Sequence, residues 1–287
     1  MNWKLLLLVG IACLGLGMAD WMFRASEESG FELTVLHTND LHAHYDAFEP
    51  FGEPVQGGVA RLETAADAIR DEGGNVLLLD AGDQFEGTLF YTVGGGHAVA
   101  DVMNELEYDA MCLGNHEFGP GSAELATFIG LADFPVLSAN TDASADSDLA
   151  GKILPFALFS FDREQCAVIG LTTEHTATSS SPGPDIRFLD AITTAQRTVD
   201  ELEGLGVDVI IALTHLGYDR DLDLARSVRG IDVVVGGHSH TLLDEYPTVT
   251  TSASGEPVLV VTAHEWGKRL GRLGVVFTGV KRAFDVG

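Results

Sequence analysis

The chain has 287 residues, enough for one large domain or two small ones, and 46% of them are apolar, which supports a packed core and excludes a disordered chain. Against 43 Asp and Glu stand only 16 Lys and Arg, a formal net charge of -27. So acidic a surface repels phosphate backbones, which argues against a nucleic-acid partner, and slows a free nucleotide unless metal ions reverse the local sign.

The first residues read as a targeting segment, with Lys4 as the positive end, Leu5 to Leu16 as the apolar stretch and Gly17-Met18-Ala19 as a small-x-small cleavage site. The stretch is short of the ~20 apolar residues that span a bilayer. The expectation is a signal peptide over 1–19, with an uncleaved anchor as the alternative and the only route to a membrane. A polar, flexible lead-in over 20–30 follows, then one catalytic domain over 31–287. Cys112 and Cys166 sit in apolar, strand-like runs and read as buried thiols; no CxxC pattern is present.

Leu33 to Leu36 reads as a strand that ends in His37-Thr38-Asn39-Asp40-Leu41-His42. Gly57-Gly58 opens a helix over Val59 to Ile69, with apolar residues at helical spacing, stopped by Gly73-Gly74. Val76 to Leu79 is a continuously apolar strand ending in Asp80-Ala81-Gly82-Asp83. Gly94-Gly95-Gly96 reads as a flexible connection into a helix over His97 to Leu106, because its spacing fits no phosphate-binding loop. A strand from Ala110 ends in Leu113-Gly114-Asn115-His116-Glu117, and a helix over Ser122 to Leu131 follows with Ser122 as its expected cap. Val136 to Ala139 and Ala167 to Leu171 are strands, separated by an acidic excursion over Thr141 to Gly151. Glu174 to Pro184 reads as loop, and Asp190 caps a helix that runs to Leu205. Val209 to Leu213 is a buried strand ending in Thr214-His215, Leu222 to Val228 a short helix, and Ile231 to Val235 a strand ending in Gly236-Gly237-His238-Ser239-His240. From Val249 onward the pattern is β.

Strands alternate with helices, which gives an α/β architecture with parallel pairing, and ligands of such sheets sit at the carboxyl ends of the strands. Asp40, His42, Asp83, Asn115, His116, His215, His238 and His240 all fall there. Imidazole suits zinc, iron, nickel and copper; carboxylate and carboxamide suit manganese and magnesium. The set is too large for one open catalytic ion and about enough for two, which at about 3.5–4 Å apart clamp an in-line displacement at phosphorus. Asp83, placed after a glycine where backbone approaches closely, is the natural bridge. His37 reads as a strand residue, His44 and His97 as surface or capping histidines, His264 as structural or substrate-side, and Glu117 as a buttress of its loop; His175 is undecided.

These segments, with Gly57-Gly58-Val59-Ala60-Arg61 and Glu265-Trp266-Gly267-Lys268, resemble the calcineurin-like metallophosphoesterases and, among them, the 5'-nucleotidase branch. The resemblance runs from about Phe31 to about Phe277. It implies a four-layer αββα sandwich. It implies that Asp40, His42 and His240 bind one divalent ion, that Asn115, His215 and His238 bind the other, and that Asp83 bridges. Zn, Mn, Co and Mg are not distinguished. It further implies that a metal-bound hydroxide attacks phosphorus, while His116 contacts the phosphoryl group and helps the leaving oxygen depart.

Two departures stand out. The branch usually carries an aspartate three residues after the catalytic histidine; Gly119 stands there, so His116 is expected to lack its orienting carboxylate. The C-terminal nucleotide-recognition domain of the branch is expected to be absent. The expected function is a periplasmic or secreted, metal-dependent phosphohydrolase acting on small phosphate monoesters of nucleotides. The alternatives are a cyclic-nucleotide or nucleotide-sugar phosphodiesterase and a non-catalytic metal- or phosphate-binding relic.

Overall fold

The computed structural model describes residues 30–162 and 164–278. The expected signal peptide over 1–19 and all but Gly30 of the expected lead-in lie outside them.

In chain order the elements begin with β1 (Phe31–Thr38), the ribbon of β2 (Ala47–Phe48) and β3 (Gln56–Gly57), α1 (Val59–Arg70), β4 (Val76–Asp80) and α2 (Leu89–Glu105). Next come β5 (Ala110–Cys112), a 3-10 turn over His116–Phe118, α3 (Ser122–Leu131), β6 (Val136–Leu137) and β7 (Thr141–Asp142). The second half runs β8 (Phe156–Phe161), β9 (Glu164–Thr172), α4 (Thr176–Ser179), β10 (Arg187–Phe188), α5 (Ala191–Gly204), β11 (Val209–His215) and α6 (Tyr218–Ser227). It closes with β12 (Val233–Gly236), β13 (Thr248–Thr251), β14 (Pro257–Val261) and β15 (Gly271–Phe277).

Two sheets carry the fold. The first has the order β15-β1-β4-β5-β6 and the second β13-β14-β12-β11-β9-β8. Their central strands pair in parallel, and antiparallel strands (β15, β13, β8) lie only at the edges. Alternation along each strand sorts its apolar side chains between two faces. Leu33, Val35, Leu77 and Leu79 of the first sheet meet Val168, Ile211, Leu213 and Val235 of the second in a core between the sheets. Leu36, Leu78 and Met111 turn outward onto Leu62, Val99, Met103, Leu125 and Phe128 of α1 to α3. Ile169, Ile210, Ala212 and Val234 turn onto Ala195, Val199, Leu202 and Leu224 of α5 and α6. Three apolar interfaces between four layers make the αββα sandwich, and strands buried on both faces explain the continuous apolar runs.

Several local expectations need correction. α2 begins at Leu89, not His97, capped by Thr88, whose side chain accepts from Phe90 N. The glycine run is a kink inside it: Gly95 leaves helical geometry (φ 58°, ψ -158°), and Gly96 N donates to Glu124 Oε1 of α3 at 2.6 Å. Ser122 does not cap α3 but is its first residue, and its hydroxyl donates to Asp146. The helix expected from Leu222 begins at Tyr218, and the loop after Glu174 holds the four-residue α4. β8 forms an edge strand where none was expected. Asp190 does cap α5, accepting from Thr193 N at 2.7 Å. Cys112 and Cys166 are free, buried thiols. Among the described residues no helix is long and apolar enough to cross a membrane.

Candidate metal centre

The loops after β1, β4, β5, β11 and β12 converge at one edge of the sandwich, and they bring the expected side chains together. The ligating atoms of Asp40, His42 and His240 lie within 4.8 Å of one another, as do those of Asp83, His215 and His238. A third such group, His42, Asp83 and His116, joins the two. Asp83 is at the centre. Its Oδ2 is 3.0 Å from His215 Nε2, 3.8 Å from His42 Nε2 and 3.9 Å from His116 Nε2, three imidazoles from three different strand ends. Asp40 Oδ1 stands 3.2 Å from His240 Nε2.

Backbone geometry marks the same residues. Asp40, His42, Asp83, His238 and His240 all have positive φ, between 47° and 75°. L-residues pay about 1–2 kcal/mol for that conformation, so the surroundings must enforce it. They do so by hydrogen bonds. His42 N donates to Asp83 O and Asp40 N to Gly82 O, each at 2.9 Å. His238 N donates to Asp40 Oδ2 at 2.9 Å, and His116 N to Asp83 Oδ1 at 2.9 Å. Asn39 ties the first loop to the segment before Glu265: its Oδ1 accepts from Ala263 N at 2.7 Å. The loops also press together at glycines. A Cβ on Gly82 would lie 2.6 Å from Gly114 N, so the glycine before Asp83 permits the close approach expected of it.

Glu117 is the buttress. Its carboxylate is fully buried and accepts four backbone N–H bonds, from Asp83 at 3.0 Å, Gln84 at 2.7 Å, Phe85 at 3.1 Å and Gly114 at 2.7 Å. Burial and the charge of Asp83 push its carboxyl up, against those N–H bonds. One side chain thus clamps the Asp83 loop onto the Asn115 loop.

The donor set fits divalent cations by three observations. Asn115 Oδ1 is buried without a partner, and a stranded amide oxygen costs about 1–3 kcal/mol unless something accepts its lone pairs. Three histidines are held at Nδ1 from outside, so that Nε2 faces the cluster. His215 Nδ1 is 2.6 Å from Ala81 O, His42 Nδ1 is 3.2 Å from Phe85 O, and His240 Nδ1 is 2.5 Å from Glu265 Oε2. That arrangement fixes the imidazole tautomer with its lone pair inward, as metal-binding histidines require. Finally, His215 Nε2 is buried 3.0 Å from Asp83 Oδ2 without the alignment of an ordinary hydrogen bond.

Electrostatics agree. Burial lowers the His215 imidazole, but Asp83 and Asp40 override it and push it up to about 10. Burial and His215 hold His238 down at about 4. Burial raises Asp83's carboxyl, yet His215, His116 and His42 outweigh it and the net direction is down. The split has one source: the carboxylates of Asp83 and Asp40 favour charge on His215, and charge on His215 disfavours it on His238.

Four residues that act on the cluster were missed in the sequence or given another part. Glu265 holds His240 and is itself held by Lys268 Nζ at 2.7 Å. Lys268 Nζ also lies 4.3 Å over the Trp266 ring, which stacks on His44. Asp221, buried on α6, accepts from Thr214 Oγ1 at 2.6 Å just before His215. The fourth is Glu86, three residues past Asp83: its Oε2 lies 2.5 Å from His116 Nδ1. The expectation that His116 lacks a carboxylate is therefore wrong; the carboxylate arrives from another loop. The remaining histidines stay apart. His37 is buried in β1 with Nε2 2.8 Å from Tyr246 Oη, while His97 and His175 are exposed. His264 lies beside Glu265, 3.7 Å from its carboxylate.

Fold and site together define a metallophosphoesterase domain. Residues 33–242 match the model of the calcineurin-like phosphoesterase family, and the chain belongs to that family. It is 42% identical over 285 residues to human 5'-nucleotidase, covering 92% of this chain and 49% of that protein. It is likewise 42% identical over 295 residues to a snake venom 5'-nucleotidase of Gloydius brevicauda, covering 95% and 49%. Among solved structures, a 5'-nucleotidase precursor from Thermus thermophilus superposes with a TM-score of 0.81 at 43% identity, over 86% of this chain and 54% of that one. The NAD nucleotidase of Haemophilus influenzae superposes with a TM-score of 0.83 at 36% identity, over 88% and 48%. The chain spans about half the length of the relatives it matches.

Proposed function

We propose that this chain hydrolyses phosphate monoesters, with nucleoside 5'-monophosphates as the substrate class, at a centre of two divalent ions. Asp40, His42 and His240 would hold one ion, Asn115, His215 and His238 the other, with Asp83 shared. The observation that carries this reading is Asp83 Oδ2 set within 4 Å of imidazoles from three strand ends, beside the buried, partnerless Asn115 Oδ1. Bound there, the ions would supply an activated water and neutralise the phosphoryl oxygens.

The chain's own residues do the rest. The backbone clamp of Glu117 holds Asp83 and Asn115 in register. His116 is the imidazole turned to the opening, 37% exposed at its side chain, and it is positioned to give a proton to the departing oxygen. The similarity to the two 5'-nucleotidases supports a nucleotide leaving group, and the secreted venom relative supports the periplasmic or secreted location expected from residues 1–19.

The test is release of inorganic phosphate from AMP and from 4-nitrophenyl phosphate with Mn, Zn, Co or Mg supplied, beside bis(4-nitrophenyl) phosphate as a diester. Monoester turnover is expected to dominate, and Asp83→Asn to abolish both turnover and metal retention. A chain that holds metal and hydrolyses no ester would overturn the reading, and metal content unchanged in Asp83→Asn would overturn the bridge.

A further inference from the structure

His116 and Glu86 are both part-exposed, and a surface ion pair by itself is worth little. Three features set this one apart. The contact is short, 2.5 Å from Nδ1 to Oε2. Glu86 is held in place by its own loop: it has a φ of 65°, and it is followed by Gly87, where any side chain would collide with the backbone of His42. Then Thr88 donates to Ala43 O at 2.5 Å and caps α2. The strained residue is thus pinned between the His42 loop and a helix start.

The third feature is Gly119. A Cβ built there would overlap Glu86 Oε1 and lie 3.2 Å from Glu86 Cδ. A side chain at 119 would have to displace the Glu86 carboxylate from its place beside His116. Gly119 has a φ of -58°, an ordinary helical value that does not require glycine. What occupies the place of its Cβ is the carboxylate.

We infer that Glu86 is the positioning residue of His116: it accepts the Nδ1–H, fixes the tautomer and ring plane, and leaves Nε2 on the reacting side, while Gly119 is the vacancy that admits it. In the acid step the doubly protonated ring, its positive charge balanced by the Glu86 carboxylate, gives its Nε2 proton to the leaving oxygen as the phosphorus–oxygen bond breaks and is left neutral with Nδ1–H still on Glu86. This rests on the phosphomonoester reading above.

The test compares wild type, Glu86→Ala, Gly119→Asp and the double variant Glu86→Ala/Gly119→Asp, all loaded with zinc. AMP has a leaving oxygen that needs a proton; 4-nitrophenyl phosphate has one that departs without it. For Glu86→Ala, kcat on AMP is expected to fall about 10–100-fold, the cost of losing an orienting partner. KM and bound zinc stay at wild-type values, and the loss on 4-nitrophenyl phosphate is smaller. Gly119→Asp alone lowers kcat by steric conflict, and in the double variant the new carboxylate restores at least about tenfold over Glu86→Ala. Imidazole 15N NMR of His116 reads the same point without turnover: one fixed tautomer in wild type and in the double variant, a mixture in Glu86→Ala. Unchanged AMP turnover in Glu86→Ala, equal losses on both esters, loss of zinc, or an unchanged tautomer would each overturn the inference. A wild type that turns over neither ester would overturn the functional reading instead, and the NMR comparison would still decide the placement of His116.

Discussion

Replacing Glu117 by Gln tests how the two central loops are clamped. Oε1 accepts from Gln84 N and Phe85 N, and Oε2 from Asp83 N and Gly114 N. Gln keeps the shape and only one acceptor oxygen. In either orientation of its amide, two of the four buried donors face an NH2 group. A buried donor left unpaired costs about 1–3 kcal/mol, so the variant is expected to lose about 2–6 kcal/mol. Against a typical whole stability of about 5–15 kcal/mol that is a large fraction. Urea unfolding followed by far-UV circular dichroism, on wild type and variant at equal metal load, reads the loss as a lower midpoint at unchanged slope. Bound metal should fall as well, because the loosened N–H groups belong to the residues flanking the Asp83 and Asn115 side chains. A loss below about 1 kcal/mol, the net worth of one ordinary hydrogen bond, with full metal content would refute the clamp.

Further outcomes follow from the same contacts. Gly114→Ala puts a Cβ onto Asp83 Oδ1 and 2.6 Å from Asp83 N, so it should displace the shared carboxylate and weaken metal binding by at least about tenfold in a chelator competition. Glu265→Ala removes the acceptor at His240 Nδ1, 2.5 Å away, and should weaken metal affinity by about 10–100-fold while the fold stays intact by circular dichroism. Asp232, remote from the cluster, is pushed up to about 7 by burial and by Glu256, Asp208 and Glu203, against its bond from Ile210 N. The unfolded chain releases that proton near the ordinary carboxylate value and the native state only near 7. Stability therefore falls as pH rises across that window and levels off above it. Asp232→Asn should flatten the slope between pH 4 and 7 and melt higher than wild type at pH 8; an unchanged slope would refute the assignment.

The sandwich was readable because its physics is repetitive. Strands buried on both faces write apolar runs, and helices packed on one face write a 3.6-residue period. The helix from Leu89 was not, because Leu89 and Val93 are exposed and the glycine run looks like an interruption. Only the packed structure reveals that Glu124 of α3 receives Gly96 N and holds the chain helical on both sides of the break. Likewise the strand ends announced where the histidines and carboxylates would meet, since parallel sheets gather their carboxyl ends. What orients those histidines was hidden. Two of the outer partners are main-chain carbonyls, of Ala81 and Phe85, which carry no side-chain signature. The others, Glu265 and Glu86, are ordinary acids in a chain with 43 of them.

Glu86 exposes the limit of reading a motif as a string. An empty motif position says only that the group does not come from that position. Here several glycines are spaces cut for a carboxylate from elsewhere. A Cβ on Gly119 would meet Glu86 Oε1, on Gly114 Asp83 Oδ1, on Gly236 Asp221 Oδ2, and on Gly95 Glu124 Oε1. Each of those acids has a defined donor or imidazole: His116 for Glu86 and for Asp83, Thr214 for Asp221, Gly96 N for Glu124. Asp83 and Asp221 are buried, where an unpaired carboxylate is costly, and at all four sites the glycine lets backbone, hydroxyl or imidazole come within bonding distance. The rule that joins these four sites is that the glycine leaves the place of a Cβ to a carboxylate, as Gly82 and Gly87 leave it to neighbouring backbone. On that rule a side chain restored at 119 without removing Glu86 harms the site, although it restores the familiar motif.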